Sequence, residues 1–377
     1  MPDLVLRSKI DCDDFVRGCT FLGTGGGGKP DVGLKLLYED LMKYKEMRVT
    51  DPSSIPDDAW TCCPFLMGSI APVTEETKDM IKRLGLKMIK NPDRILAYAV
   101  QALEEYSGRK IEALVPIELG GGNTPSAIDA ASMLGVKVTN GDYTGRAIPE
   151  IEQTTPYLFD KPIFPVSTVD QYGSVCYIKK APSYQMAEII GKQISVAGFG
   201  LAGEAAFLMK GSEMKKTIIP NTLSECYEIG QIIRKAREMN DDPLKAVTEY
   251  IKGWVLLTGE VTKKSWEDKR GYMIGEHEIK GSGDFSGRTM RIWYENENHV
   301  SWLDDKPYVS SPDIIEVVDA KTAEPITNTL LKKGDKVAVI GARKRKQFDS
   351  KKAIEILGPQ HFGFNIKHTP IEKLVRK

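Results

Sequence analysis

Five glycines in the six residues 23–28, interrupted only by Thr24, constrain this chain more than any other stretch. Glycine loses more backbone freedom on folding than any other residue. Such a run persists where the chain needs a positive φ, or a backbone approach that a Cβ would block. By spelling, Gly23, Gly25 and Gly28 fit GxGxxG, and Gly23, Gly28 and Lys29 fit the start of GxxxxGK[ST]. The context argues against both. A dinucleotide loop follows a strand, whereas residues 13–22 set Phe15, Cys19 and Leu22 at helical spacing, with Asp11 or Asp13 as N-cap. A phosphate loop needs a hydroxyl after its lysine, and Pro30 has neither hydroxyl nor amide hydrogen. Asp51 stands about where a ribose-binding acid would, so a nucleotide-dependent enzyme stays as an alternative. What remains is a row of amides, Thr24, Gly25, Gly26 and Gly27 among them, ahead of a helix expected over 31–47. Such a row suits an anion or a carbonyl. A tightly packed turn is the competing reading.

Two further polar loops punctuate the first half. Glu118 leads into Gly120, Gly121 and Gly122, and Asn123 follows with both a donor and an acceptor. Asn123 also reads as a helix N-cap, with Pro125 just inside. The third loop holds Asp142, Arg146 and Glu150 within nine residues, extended by Glu152, Thr154 and Thr155; a plain salt bridge is the alternative to a site. Around these loops, apolar runs at 61–67, 112–119 and 136–139 alternate with helical patterns at 75–84, 92–106 and 126–134. That alternation predicts an α/β domain with a largely parallel sheet, whose strand ends gather ligands.

At 377 residues the chain fits two domains. The texture changes near 165–175, which divides it into an α/β domain at 1–167 and a mainly-β domain at 168–377, with helices around 183–254. From 255 onward short alternating runs at 272–279, 289–294, 300–303, 314–318 and 336–340 predict a sandwich or small barrel.

Lys+Arg and Asp+Glu balance at 52 each, so no net field attracts a polyanion and nucleic acid is not an expected partner. The basic run Arg343 to Lys346 reads as a solvated turn. No apolar run reaches the roughly 20 residues a bilayer needs, and residues 1–9 lack a signal-peptide core; a cytoplasmic, membrane-free protein is expected. The six cysteines form no CxxC and read as buried free thiols. Cys62 or Cys63 would need a nearby base to act as a nucleophile. His277, His299, His361 and His368 show no HxH or HExxH spacing. No metal is expected, although Asp142, Glu150 and Glu118 form an acidic set. The sequence names no cofactor.

Taken together, the segments 22–28, 115–123 and 145–150 closely resemble the S-methyl thiohydantoin desulfurase domain family, long catalogued as a domain of unknown function. Residues 295–298, 312–315, 358–359 and 362–363 are similar to it too. The resemblance implies an N-terminal three-layer α/β domain and a C-terminal, largely β-barrel domain. It also implies hydrolysis of a carbon–sulfur bond in an S-methylated thiohydantoin, and association with hydantoinase- or oxoprolinase-type proteins. The family's usual VDADGMGRAFPE-like stretch departs here to Thr139-Asn140-Gly141-Asp142-Tyr143-Thr144-Gly145-Arg146.

The leading expectation is a hydrolase of a small cyclic amide or thiohydantoin-type substrate, cleaving C–S or C–N. Asp142 or Glu150 would be the general base, and Arg146 with the glycine amides would stabilise negative charge. Glu118, Gly121, Gly122 and Asn123 would hold the ring edge. A non-catalytic partner subunit of a hydantoinase-type complex and a homo-oligomer both stay open.

Overall fold

The computed structural model describes residues 3–68 and 74–375. Its first sheet is built from β1 (Leu4–Leu6), β2 (Met47–Thr50), β3 (Trp60–Gly68), β4 (Ile111–Leu114), β5 (Lys137–Thr139), β7 (Val166–Asp170), β8 (Val175–Ile178) and β9 (Leu201–Lys210). The order across it is β1-β2-β5-β4-β3-β9-β7-β8. A two-residue strand, β6 (Gly141–Asp142), pairs separately with β10 (Ile219–Pro220). The expected largely parallel sheet is parallel only in its β2-β5-β4-β3 stretch; both flanks are antiparallel. Strand β9 arrives from beyond residue 200 and pairs along the whole of β3, so the sheet draws on both sides of residue 167.

The apolar run at 112–119 is only half strand. β4 ends at Leu114, Val115 N still donates to Cys62 O at 2.9 Å, and Pro116, which has no N–H to add to the ladder, then leads the chain out as a loop. Residues before the glycine run are helical, as their spacing predicts: Lys9–Leu22 begins with a Ser8/Asp11 capping box. Pro30 opens the next helix, Pro30–Tyr44. Helix Thr222–Glu238 lies against Lys9–Leu22, and Arg234 reaches the buried Asp14 at 2.9 Å. Helices Tyr184–Ala197 and Gly211–Thr217 sit on the other side, where Phe65, Phe207, Tyr143 and Met214 form a second core. Strand alternation sends Cys62 to the first core and Cys63 to the second.

The second sheet is antiparallel throughout: β11 (Trp254–Lys269), β12 (Tyr272–Gly281), β13 (Thr289–Glu295), β14 (Glu297–Leu303), β15 (Lys306–Ser310), β16 (Ile314–Asp319) and β17 (Lys336–Ala342). Its order is β15-β14-β13-β12-β11-β17-β16. It curls into a half-barrel around Leu257, Ile279, Ile292, Val317 and Val339, and Asn298 Nδ2 donates to Ile315 O at 3.1 Å between its two ends. Every alternating run read after residue 255 lies within one of these strands. Among the described residues no helix is long and apolar enough to cross a membrane.

Candidate functional site

The glycine run joins the two helices and is packed from both sides. Thr24, Gly25, Gly27 and Gly28 all have positive φ. A Cβ on Gly27 would stand 2.5 Å from Gly120 Cα, so the first and second glycine loops touch backbone to backbone. Gly122 N and Asn123 N both donate to Gly27 O at 3.1 Å. From the half-barrel side, Asn298 N donates to Thr24 O at 2.8 Å and Asn328 N to Gly25 O at 2.7 Å. The amide of Gly27 is also spoken for: it donates to Glu297 Oε1 at 3.1 Å. The loop therefore cradles a carboxyl group, and that group is a side chain of the same protein. Glu297 Oε1 thus occupies the amide that a phosphate would need.

A cavity of about 110 Å³ opens where these loops meet β3, lined by Gly27, Gly28, Glu118, Asn123, Glu150, Lys192 and Glu297, with Phe65 and Ile148 as apolar walls. Asn123 is not the helix cap; Gly122 holds that position. Its side chain instead bridges two elements. Nδ2 donates to Glu118 Oε1 at 2.8 Å, and Oδ1 accepts from Leu66 N at 3.1 Å. Ile148 N donates to the other Glu118 oxygen at 2.8 Å. Burial pushes the Glu118 carboxyl up to about 7, opposed by those two hydrogen bonds and the Lys192 charge and reinforced by Asp142. Burial also holds Glu297 well above the ordinary carboxylate range, with Glu118 adding to it and Arg146 opposing, and among the described residues Glu297 Oε2 has no hydrogen-bond partner.

The other predicted residues divide. Thr24, Gly25, Gly26, Gly121 and Gly122 build the loop contacts behind the cavity wall. A Cβ on Gly26 would fall 1.8 Å from Glu297 Oε1, and one on Gly121 2.4 Å from Thr20 Oγ1. Asp142 and Arg146 do not line the cavity. Asp142 is fully buried, its Oδ2 accepting from Thr144 N at 3.0 Å and Gly145 N at 2.7 Å, which ties off the turn. Arg146 lies under the glycine loop, donating to Thr24 Oγ1 at 3.0 Å and to the carbonyls of Ala147, Asn298 and Asp313 at 2.9, 3.0 and 3.2 Å. It ties the first loop to the half-barrel. Arg345 is bound into the fold as well, donating to Gly145 O at 3.3 Å and to Glu225 at 3.1 Å.

Glu150 leads outward. It lines both the first cavity and an adjoining one of about 380 Å³, together with Glu188 and Lys192. Lys192 sits 3.6 Å from Glu188 Oε1 and 4.1 Å from the Tyr272 ring centroid, and Ile151 N donates to Glu188 Oε2 at 2.9 Å. His361 Nε2 bonds Glu150 Oε2. Sequence reasoning gave no role to Glu188, Lys192, Glu297 or His361. Of these, only Glu297 falls within a family-like segment, 295–298.

The cysteines offer no nucleophile here: Cys62 and Cys63 are fully buried, and burial holds both thiols well above their ordinary value. His277 packs inside the half-barrel, its Nε2 3.0 Å from Asn328 Oδ1.

Comparison with known proteins bears on this geometry. A family model described as S-Me-THD-like, N-terminal domain, matches residues 10–180, and its C-terminal counterpart matches residues 182–371. A solved crystal structure of a protein from Chromobacterium violaceum is similar over 99% of this chain and 100% of its own, with a TM-score of 0.78 at 20% identity. That likeness speaks for the fold. A search of curated proteins found no match.

Proposed function

The chain belongs to the S-Me-THD-like family, the S-methyl thiohydantoin desulfurase-like proteins, and we propose that it hydrolyses a hydantoin-type five-membered ring, an S-methylated thiohydantoin foremost, in the cavity beside Glu118. The observation that carries this reading is the Glu118 carboxyl itself: it is buried, faces the cavity, is clamped by Asn123 and Ile148, and sits near 7. A group poised near neutrality both takes and returns a proton.

The cavity's about 110 Å³ falls below the roughly 300–1,000 Å³ of drug-sized sites, which suits a small ring with its substituent in the adjoining space. Water attacks the ring carbon that bears sulfur, forming a C–O bond as the C–S bond breaks. Of the water's two protons, one ends on the ring nitrogen and one on the departing methanethiolate, with Glu118 relaying them. Lys192 is the cation lining both cavities and counters charge that develops on the ring. Asp142 and Arg146 act through position, holding the third loop and the glycine run in place.

The test is methanethiol release from S-methylated thiohydantoins, with plain hydantoin as the C–N arm. The wild type turns over the thioether ring, and Glu118→Gln loses at least about 100-fold, the usual contribution of a general base. Equal turnover in the two proteins overturns the assignment.

A further inference from the structure

Beyond the ring cavity, one cluster combines unlike donors. Glu150, Glu152 and His361 each present a ligand atom, and the three atoms lie within 4.8 Å of one another. Glu150 caps the short 3₁₀ turn Ile151–Gln153 and Glu152 lies within it, while His361 comes from the far end of the chain, past the helix Lys351–Leu357. Gln153 Nε2 donates to Ile356 O at 3.0 Å and fixes the two segments together.

The Glu152 side chain supplies a second observation. It is 4% exposed, and Gln185 Nε2 holds its Oε2. Its Oε1 faces His361 Nε2 at 3.9 Å, outside hydrogen-bond range, and among the described residues it accepts no hydrogen bond. A carboxylate oxygen of a largely buried side chain, aimed at an imidazole without bonding it, leaves a gap between two donors.

From this arrangement we infer that Glu150, Glu152 and His361 bind a divalent transition-metal ion, Zn²⁺ being the best fit. One imidazole and two carboxylates are donors for a borderline ion rather than for Ca²⁺ or Mg²⁺, which take oxygen ligands. Ligands about 2.1 Å from an ion lie roughly 3 to 4 Å from each other, so small side-chain rotations close the set. The ion takes the place of the proton between His361 Nε2 and Glu150 Oε2 and releases it to solvent. Three protein ligands leave coordination positions open, and Glu150 lines both cavities. Glu188 and Glu295 lie near the cluster as further carboxyl groups, with Lys192 as the neighbouring cation. The ion site stands independently of the ring chemistry.

The full chain, stripped with a chelator and titrated with ZnCl₂ by calorimetry, is expected to bind one ion. Glu152→Gln and His361→Gln, each shown to melt cooperatively in metal-free buffer, are expected to weaken binding by more than the roughly 10- to 100-fold that loss of a mere supporting contact costs. Glu118→Gln and Cys176→Ser retain wild-type affinity, which separates this site from the ring site and from a half-exposed thiol. No binding by the wild type, or undiminished affinity in both ligand variants, overturns the inference. If one ligand variant fails to fold, the other decides.

Discussion

Asn123 stands between Glu118 and the backbone of β3, donating from Nδ2 to Glu118 Oε1 at 2.8 Å and accepting from Leu66 N at 3.1 Å. That single side chain couples the orientation of the cavity carboxyl to the edge of the cavity wall. Replacing it with alanine leaves Leu66 N and one Glu118 oxygen without their partner, at a cost of roughly 1 to 3 kcal/mol in stability. Turnover should fall with it. Asn123→Asp keeps the shape but puts a second negative charge on Glu118, so its turnover should fall further while it still folds. Denaturant melts and kinetics on the two variants read both effects.

The glycine run gives a prediction about backbone contact. Gly27→Ala adds a Cβ 2.5 Å from Gly120 Cα at a φ of +74°, where neither backbone can yield. The expected loss is about 2 kcal/mol or more. Gly28→Ala, at a φ of +85° with its Cβ pressed less severely on Gly122 Cα at 3.1 Å, should cost less. Equal melting of the two variants would argue against the close packing described.

Much of this site was legible before any coordinates. Gly27, Glu118, Asn123 and Glu150 were singled out as residue types at loop positions, and all four line one cavity. The reason for the glycines was not legible. A glycine needed for free amides and one needed for contact with Gly120 are spelled alike, and the partner lies about ninety residues away. Glu297 and His361 escaped for the same reason: a strand position and a tail segment carry no local mark of what they will face. Arg146 shows the converse. A lone Arg between two acids reads as chemistry, yet its donors go to Thr24 and backbone carbonyls. Likewise the parallel βα pattern up to β5 predicts a sheet direction, but nothing local announces that β9 returns antiparallel along β3.

Arg146 leads to a test of position against chemistry. Its fully buried guanidinium is held against desolvation by Glu297, Asp313, Glu316 and Glu118. Lysine cannot reproduce a fork that meets Thr24 and the carbonyls of Asn298 and Asp313 together. Arg146→Lys should lose about 3 kcal/mol of stability. Any residual folded protein should show a larger change in stability than in the pH dependence of turnover.

Buried carboxyls set the pH dependence of stability. Burial, then the Glu188 charge, pushes Glu204 up to about 8 from 4.5, against the Thr168 hydrogen bond and Lys192. A raised carboxyl keeps its proton in the folded state and gives it up in the unfolded one. Its contribution is therefore complete below about pH 4.5 and is lost as pH climbs through about 8. Asp129, pushed up to about 8 mainly by burial, acts in the same direction. Tm should fall between pH 5 and pH 8. Glu204→Gln, neutral at both, should raise Tm at pH 8 by roughly 2 °C or more and change it less at pH 5. A wild-type Tm that rises over that range would contradict the burial of these groups as charged-form penalties.

The most direct test of the central claim is the pH profile of kcat/KM for an S-methylated thiohydantoin, measured on the wild type and on Glu118→Gln. A base must be deprotonated to work, so the wild-type rate should climb with pH and level off above an apparent pKa near 7. In Glu118→Gln that rising limb should vanish from whatever activity remains. The same limb, undisplaced, in the Gln variant would place the proton transfer on another group and contradict the account.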